Sequence, residues 1–327
     1  MDRKKGDGKM KKYPVKISYI AKSAIWGGSV LSEKWGKVSD GENIAETWEL
    51  SVREKEMATV ENGEGKGLTL AEYFEAAGYD CVAPDHKKGD RFPLLVKFID
   101  AHDRLSVQVH PDDAYATAVH NDSGKTEMWY VVDAEEGAEL VYGLAEGVDN
   151  KGFADAVAKG EISDAMNFVK VKAGDCFFIP AGMVHAIGAG ILIAEIQQNS
   201  DLTYRVYDYD RVGADGKKRE LHTERALDVV RPYSEAEVEA IRYSEGKTEE
   251  MLANNEYFKV FKAVIDGKKS LNVGNDSFLS LLCIDGEGFI EYLGESYKIE
   301  KGDSYFLPAG MGECTVKGKL TVICSGI

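Results

Sequence analysis

Three scarcities bound what this chain can be. No apolar run in its 327 residues approaches the ~20 needed to span a bilayer as a helix. The five cysteines (Cys81, Cys176, Cys283, Cys314 and Cys324) are odd in number, scattered and without a CxxC pair. That pattern fits reduced thiols and speaks against a disulfide framework. Basic residues are also short: 40 Lys and Arg face 56 Asp and Glu, a formal net charge of −16. Such a surface repels nucleic acid and anionic membranes, so neither is expected as a partner, and an anionic small molecule would need a local basic pocket. The start of the chain, residues 1–12, is polar and lysine-rich with no apolar stretch of the signal-peptide kind. A cytoplasmic location follows as an expectation.

What the chain does contain, it says nearly twice. Gly174-Asp175-Cys176-Phe177-Phe178-Ile179-Pro180-Ala181-Gly182-Met183-Val184-His185 returns as Gly302-Asp303-Ser304-Tyr305-Phe306-Leu307-Pro308-Ala309-Gly310-Met311-Gly312-Glu313, at one constant offset. Each copy reads as a turn, a short apolar strand, a Pro-Ala-Gly corner and the start of another strand. One unit repeated at this distance implies two related β-rich domains. The copies end differently, on His185 and on Glu313. If the corner aims a metal ligand inward, only the first domain holds metal.

Most other segments read as strands. Residues 93–99 are nearly all apolar, as in a buried strand, whereas residues 105–110 alternate. Ser106, Gln108 and His110 therefore share one face, and Leu105, Val107 and Val109 the other. Residues 127–132 and 138–142 flank an acidic turn and read as a hairpin. Residues 191–198 and 202–207 read as a second hairpin around Asn199-Ser200-Asp201. Short strands resume over 257–265, 278–284, 288–292, 305–307 and 320–324. Leu70, Tyr73, Phe74 and Ala77 have helical spacing closed by Gly78. Phe153, Ala156 and Val157 mark a short helix that the second copy lacks. Ser234 is placed to cap a polar helix with an acidic first turn. The expected fold is mainly β: two jelly rolls with small helical insertions. The expected domains are residues 1–232 with the metal site, a connection over 233–250, and a metal-free roll over 251–327.

The chemistry gathers in the first domain. Gln108 and His110 project from one strand face, Glu127 opens the next strand, and His185 follows the corner. Two imidazoles, a carboxylate and a carboxamide can hold one Zn²⁺ with positions left open. Arg205 lies on the strand face opposite Tyr204 and Val206, where an inward guanidinium is costly unless paired or facing a ligand. Lys125 and Arg211 are further cations near predicted ligands or strand ends, and Ser106 shares the Gln108 face. Glu195 could support a zinc ligand, accept a substrate hydroxyl or transfer a proton. His86, His102 and His120 read as surface residues, and Tyr204, Tyr207 and Tyr209 as packing.

These residues resemble the short bacterial type of class I mannose-6-phosphate isomerase, a zinc enzyme of the cupin superfamily. The likeness is carried by Ile25-Trp26-Gly27-Gly28, Glu46-Thr47-Trp48-Glu49-Leu50, residues 106–113, residues 124–129, the corner ending at His185, and the stretch from Glu195 to Arg205. It implies that Gln108, His110, Glu127 and His185 surround the zinc, one per chain, and that Arg205 is catalytic. It also implies an aldose–ketose isomerase that interconverts mannose 6-phosphate and fructose 6-phosphate through an enediol. Glu195 is the second catalytic candidate, and Ser106, Lys125 and Arg211 are the substrate-binding ones. The partner would be a small sugar phosphate, and the protein a monomer or homodimer. One departure is that longer members carry lysine where Arg211 stands. Their extra helical domain is reduced here to residues 68–78 and a few turns. Two other readings stay open: a non-catalytic sugar-phosphate-binding cupin, and a cupin oxygenase or epimerase using iron or manganese.

Overall fold

The computed structural model describes residues 9–41, 43–213 and 216–327, and the lysine-rich stretch before residue 9 lies outside them. The fold is mainly β, two cupin-like jelly rolls with small helical insertions. The chain divides into two compact units that interleave along the sequence. One is built from the described residues up to Ile20, from Glu49–Phe92 and from Val260–Ile327; the other from Ala21–Trp48 and Pro93–Lys259. The sequence reading drew consecutive blocks instead. Among the described residues no helix is long and apolar enough to cross a membrane.

In the first-named unit, Leu279–Tyr292 lies between Ser304–Leu307 and Gly312–Gly326, and Val15–Ile17 pairs with the outer side of Ser304–Leu307. Its interior is apolar, with Leu281, Ile290, Ile299, Tyr305, Val316 and Val322 among the buried residues. The strands are longer than the sequence suggests, because glycines interrupt their hydrophobic pattern without ending them. Gly288 and Gly318 face each other across the ladder, and a Cβ on either would clash with the opposite backbone. The repeated corner differs from its counterpart in direction. Gly312 takes φ +87°, Glu313 is exposed and Cys314 is buried in the core. The inward place held by His185 in one copy thus goes to an apolar-lying thiol in the other.

The helix Leu70–Ala77 shows how closely local signals are obeyed. Thr69 accepts from Glu72 N, and the Glu72 side chain accepts from Thr69 N, a reciprocal capping box. Leu70, Tyr73, Phe74 and Ala77 form its buried face. Thr69→Ala should cost about 1 kcal/mol, seen in thermal unfolding as a Tm lower by roughly 2–4 °C. An unchanged Tm would deny the cap any role in stability.

The second-named unit carries the candidate ligands between two antiparallel sheets. One runs Cys176–Ile179, Glu127–Ala134, Ile191–Gln198, Leu94–Ala101. The other runs Met166–Lys170, Glu139–Leu144, His185–Ile187, Val107–Val109, Tyr204–Tyr207. Both expected hairpins are therefore corrected. Glu127–Ala134 and Glu139–Leu144 belong to different sheets, as do Ile191–Gln198 and Tyr204–Tyr207. Each turn is an arch that carries the chain from one layer to the other, the crossing habit of a jelly roll. Three helices were not expected: Val30–Trp35, Asp113–His120, which the Asp112 carboxylate caps by accepting from Tyr115 N, and Thr223–Val229.

Candidate metal centre

Strand alternation sorts the five-stranded sheet into a greasy face and a chemical one. Val107, Val109, Val184, Ala186, Tyr204 and Val206 pack in one cluster with Phe153, Ala226 and Val229, so helices Asn150–Lys159 and Thr223–Val229 cover that face. The alternate residues project to the other side. Register aligns Tyr142, His185, Gln108 and Arg205 in one row across four strands. Gly182 donates its N–H to the His110 carbonyl at 2.8 Å, tying the Pro-Ala-Gly corner to the Gln108–His110 segment. Gly182 sits at φ +90°, and a Cβ there would lie 2.9 Å from the Val229 carbonyl oxygen. Only glycine fits that corner without strain.

The facing sheet contributes carboxylates by the same alternation. Glu195 stands opposite Trp129 on one side and Lys97 on the other, and Gln197 stands opposite Glu127. All five are buried.

His110, Glu127 and His185 offer ligand atoms that all lie within 4.8 Å of one another. Glu127 Oε2 is 3.5 Å from His110 Nε2, and Glu127 Oε1 is 3.3 Å from His185 Nε2. Each imidazole Nδ1 donates to a backbone carbonyl at 2.8 Å, that of Leu202 for His110 and of Met183 for His185. With the proton on Nδ1, both Nε2 atoms present lone pairs, and they face each other at 3.1 Å. Burial, with Lys125 the next cause, pushes His110 down to about 3, and burial lowers His185 as well, so both rings are neutral. Burial alone would raise the Glu127 carboxyl, but the Lys125 ammonium holds it well below the usual range. Neither Glu127 oxygen accepts a well-directed hydrogen bond. Lys125 reaches Glu127 and His110 from one side, and a cation among the three donors would offset the repulsion between the two facing lone pairs. These donors fit a divalent metal of the zinc type, and the carbonyls behind each Nδ1 orient the rings for it.

The other expected residues divide by place. Gln108 Nε2 lies 3.4 Å from His185 Nε2, and a half-turn of the amide brings its oxygen to the same point. Lys125 is no solvated turn residue: it is buried, with Nζ 2.9 Å from Glu127 Oε2 and 3.1 Å from His110 Nε2. Arg205 donates through Nε to Ser106 Oγ at 3.3 Å and through a terminal nitrogen to the Glu220 carbonyl at 2.8 Å, so Ser106, Gln108 and Arg205 form one group. Arg205 reaches it by pairing with Gln108 across the sheet, not by folding back beside Glu195. Arg211 is held apart from that group by Asp208, at 2.6 Å, and its guanidinium lies against the Tyr209 ring. His120 is partly buried and hydrogen-bonds the Tyr204 hydroxyl at 2.7 Å, while His222 Nδ1 accepts from Arg205 N at 3.3 Å.

Three residues escaped the sequence reading. Arg219 shares the Asp208 carboxylate with Arg211 and adds a cation near Arg205. Lys97 bridges Glu46 at 3.3 Å and Glu195 at 3.4 Å while facing the Trp48 ring at 5.1 Å. Its burial would lower the ammonium, but Glu46 and Glu195 more than reverse this and raise it. Trp129 donates its indole N–H to Glu195 Oε2 at 2.8 Å. The Glu195 carboxyl is itself raised, by burial and then by Glu127. A lone lysine inside the apolar run of residues 93–99 was the available signal for Lys97, since a buried ammonium requires a carboxylate.

Comparison with known proteins agrees with this architecture. Residues 15–164 match the catalytic domain of type I phosphomannose isomerase, and residues 248–327 the cupin domain of mannose-6-phosphate isomerase. Mannose-6-phosphate isomerase ManA of Bacillus subtilis is 38% identical, over 95% of this chain and 98% of its own length. Mannose-6-phosphate isomerase of Streptococcus mutans is also 38% identical, over 92% and 94%. The crystal structure of mannose 6-phosphate isomerase from Bacillus subtilis superposes with a TM-score of 0.87 at 36% identity, covering 97% of this chain and 100% of that one. Likeness at this level runs through both jelly rolls and every segment that supplies a candidate ligand, and the chain belongs to the type I mannose-6-phosphate isomerase family.

Proposed function

We propose that the protein is a zinc-dependent aldose–ketose isomerase that interconverts mannose 6-phosphate and fructose 6-phosphate. The observation that carries this reading is the pair of unprotonated Nε2 atoms of His110 and His185 facing each other beside Glu127, in line with Gln108 and Arg205. One Zn²⁺ per chain would be held by His110, Glu127 and His185, with Gln108 as the fourth ligand. Bound zinc supplies a Lewis acid that polarises substrate oxygens and offsets the negative charge that develops on them.

The chain's own groups do the rest. Isomerisation moves one proton between C2 and C1 through a cis-enediol, and a side chain has to take and return it. Glu195 is the candidate for that transfer, because burial and then Glu127 raise its carboxyl above the usual carboxylate range. Arg205, fixed by Ser106 and the Glu220 carbonyl, presents positive charge where the enediolate forms. Ser106 and Lys125 bind substrate oxygens, and Arg211 with Arg219 strengthens the positive field around Arg205. The jelly roll of residues 251–327 takes no part in metal binding, in keeping with the outward Glu313.

A coupled assay with mannose 6-phosphate tests this reading. Untreated protein should turn over the substrate, chelation should remove activity by about 100-fold or more, and added Zn²⁺ should restore it. Binding without turnover would identify a sugar-phosphate-binding cupin instead. Turnover that survives complete metal removal would refute the metal's role.

A further inference from the structure

We propose that Trp129 is a positioning residue, which fixes the Glu195 carboxylate for proton transfer and sets its place relative to the metal ligand His185. The inference rests on the isomerase reading and deepens it. Trp129 is fully buried, and it lies on the same strand and face as Glu127, two residues farther along and opposite Glu195. Its indole N–H reaches Glu195 Oε2 at 2.8 Å, whereas the Lys97 ammonium stands 3.4 Å from Oε1. Two oxygens held from two sides fix the plane of a carboxylate, and the indole makes the shorter of the two contacts. On its other flank the ring meets the His185 imidazole edge-on, with centroids 5.4 Å apart and planes at 76°.

A buried indole N–H usually finds a partner, and a backbone carbonyl would satisfy it. Here the acceptor is an ionisable carboxylate, which makes the bond charge-assisted and directional. A side chain with only two rotatable bonds thus spans from the proposed proton carrier to the metal ligand. Displacing a reacting group by about 1 Å costs up to ~10²-fold in rate, so the loss of this tie should appear in turnover before it appears in binding.

Trp129→Phe keeps a ring against His185 and removes only the donor. With zinc bound, its kcat for mannose 6-phosphate should fall roughly 10- to 100-fold while KM stays within about twofold and zinc content matches wild type. In a Glu195→Gln background the same change should lower kcat by less than about twofold more, since the group being positioned no longer works. An independent readout is the Trp129 indole ¹⁵N–¹H resonance, which should move upfield in Glu195→Gln as the charge-assisted bond weakens. If Trp129→Phe does not fold, that resonance decides alone, and no movement overturns the inference. An unchanged kcat in Trp129→Phe, an equal further loss in the Glu195→Gln background, or loss of zinc also overturns it. Inactive wild-type protein would instead remove the isomerase reading, and this inference with it.

Discussion

Replacing His185 with alanine should strip the protein of its metal. Wild-type protein should carry about one Zn²⁺ per chain, and His185→Ala should retain less than roughly a tenth of that after dialysis, because one lost ligand of so few leaves the ion weakly held. Elemental analysis of purified protein gives the number directly, and isomerase activity should fall in parallel. The fold should survive. His185 lies at a strand start whose neighbours Val184 and Ala186 anchor it in the apolar cluster, and its removal takes away one of two opposed lone pairs. Glu313→Ala is the matched control, made at the same place in the repeat, and should leave metal content unchanged because Glu313 is exposed. Stoichiometric zinc in His185→Ala would defeat the site assignment.

The second large effect concerns Arg205. Arg205→Ala should lower kcat for mannose 6-phosphate by about 10²–10³-fold, the range seen when a fixed donor to a developing oxyanion is lost. Zinc content and Tm should stay near wild type, since the guanidinium makes two modest contacts, to Ser106 Oγ and to the Glu220 carbonyl, and pairs with no carboxylate at either. The partition between kinetic constants is informative. An interaction made mainly in the transition state lowers kcat, whereas one that only grips the phosphate raises KM. A large rise in KM at constant kcat would move Arg205 from catalysis to substrate binding. Loss of zinc or early unfolding would make it structural.

Much of the site could be read from residue order. The alternation of residues 105–110 put Gln108 and His110 on one face, and the Pro-Ala-Gly repeat pointed to His185. Pattern reaches that far because a strand's period of two decides which way each side chain points, whatever the partner. It does not decide which strand lies alongside. The turns after Ala134 and Gln198 looked like hairpins because sequence neighbours usually pair, yet each is a crossing between layers. Arg205 was rightly placed facing inward, but beside the wrong neighbour: its companion is Gln108, across a strand pair nearly one hundred residues apart in sequence. The helix Asp113–His120 was missed because Pro111-Asp112 can equally well end the strand before it. The same residues serve as the start of a helix, with Asp112 as its cap. Lys97 and Trp129 were hidden in apolar runs, where their polar atoms matter only once Glu195 arrives from far along the chain.

The interleaving of the two units has a consequence for how the protein comes into being. Val15–Ile17 leaves the ribosome long before its ladder partner Ser304–Leu307. The unit they share cannot close until Ser304–Leu307 has emerged, by which point Pro93–Lys259, the bulk of the ligand-bearing unit, is already out. Pairings so distant carry a high entropic cost of closure and form late. The repeat suggests two consecutive units, but Val15–Ile17 and Val260–Ile327 belong to one interleaved unit. Severing it near residue 250 would strand the early strand without its partner and leave the later roll without its outermost strand.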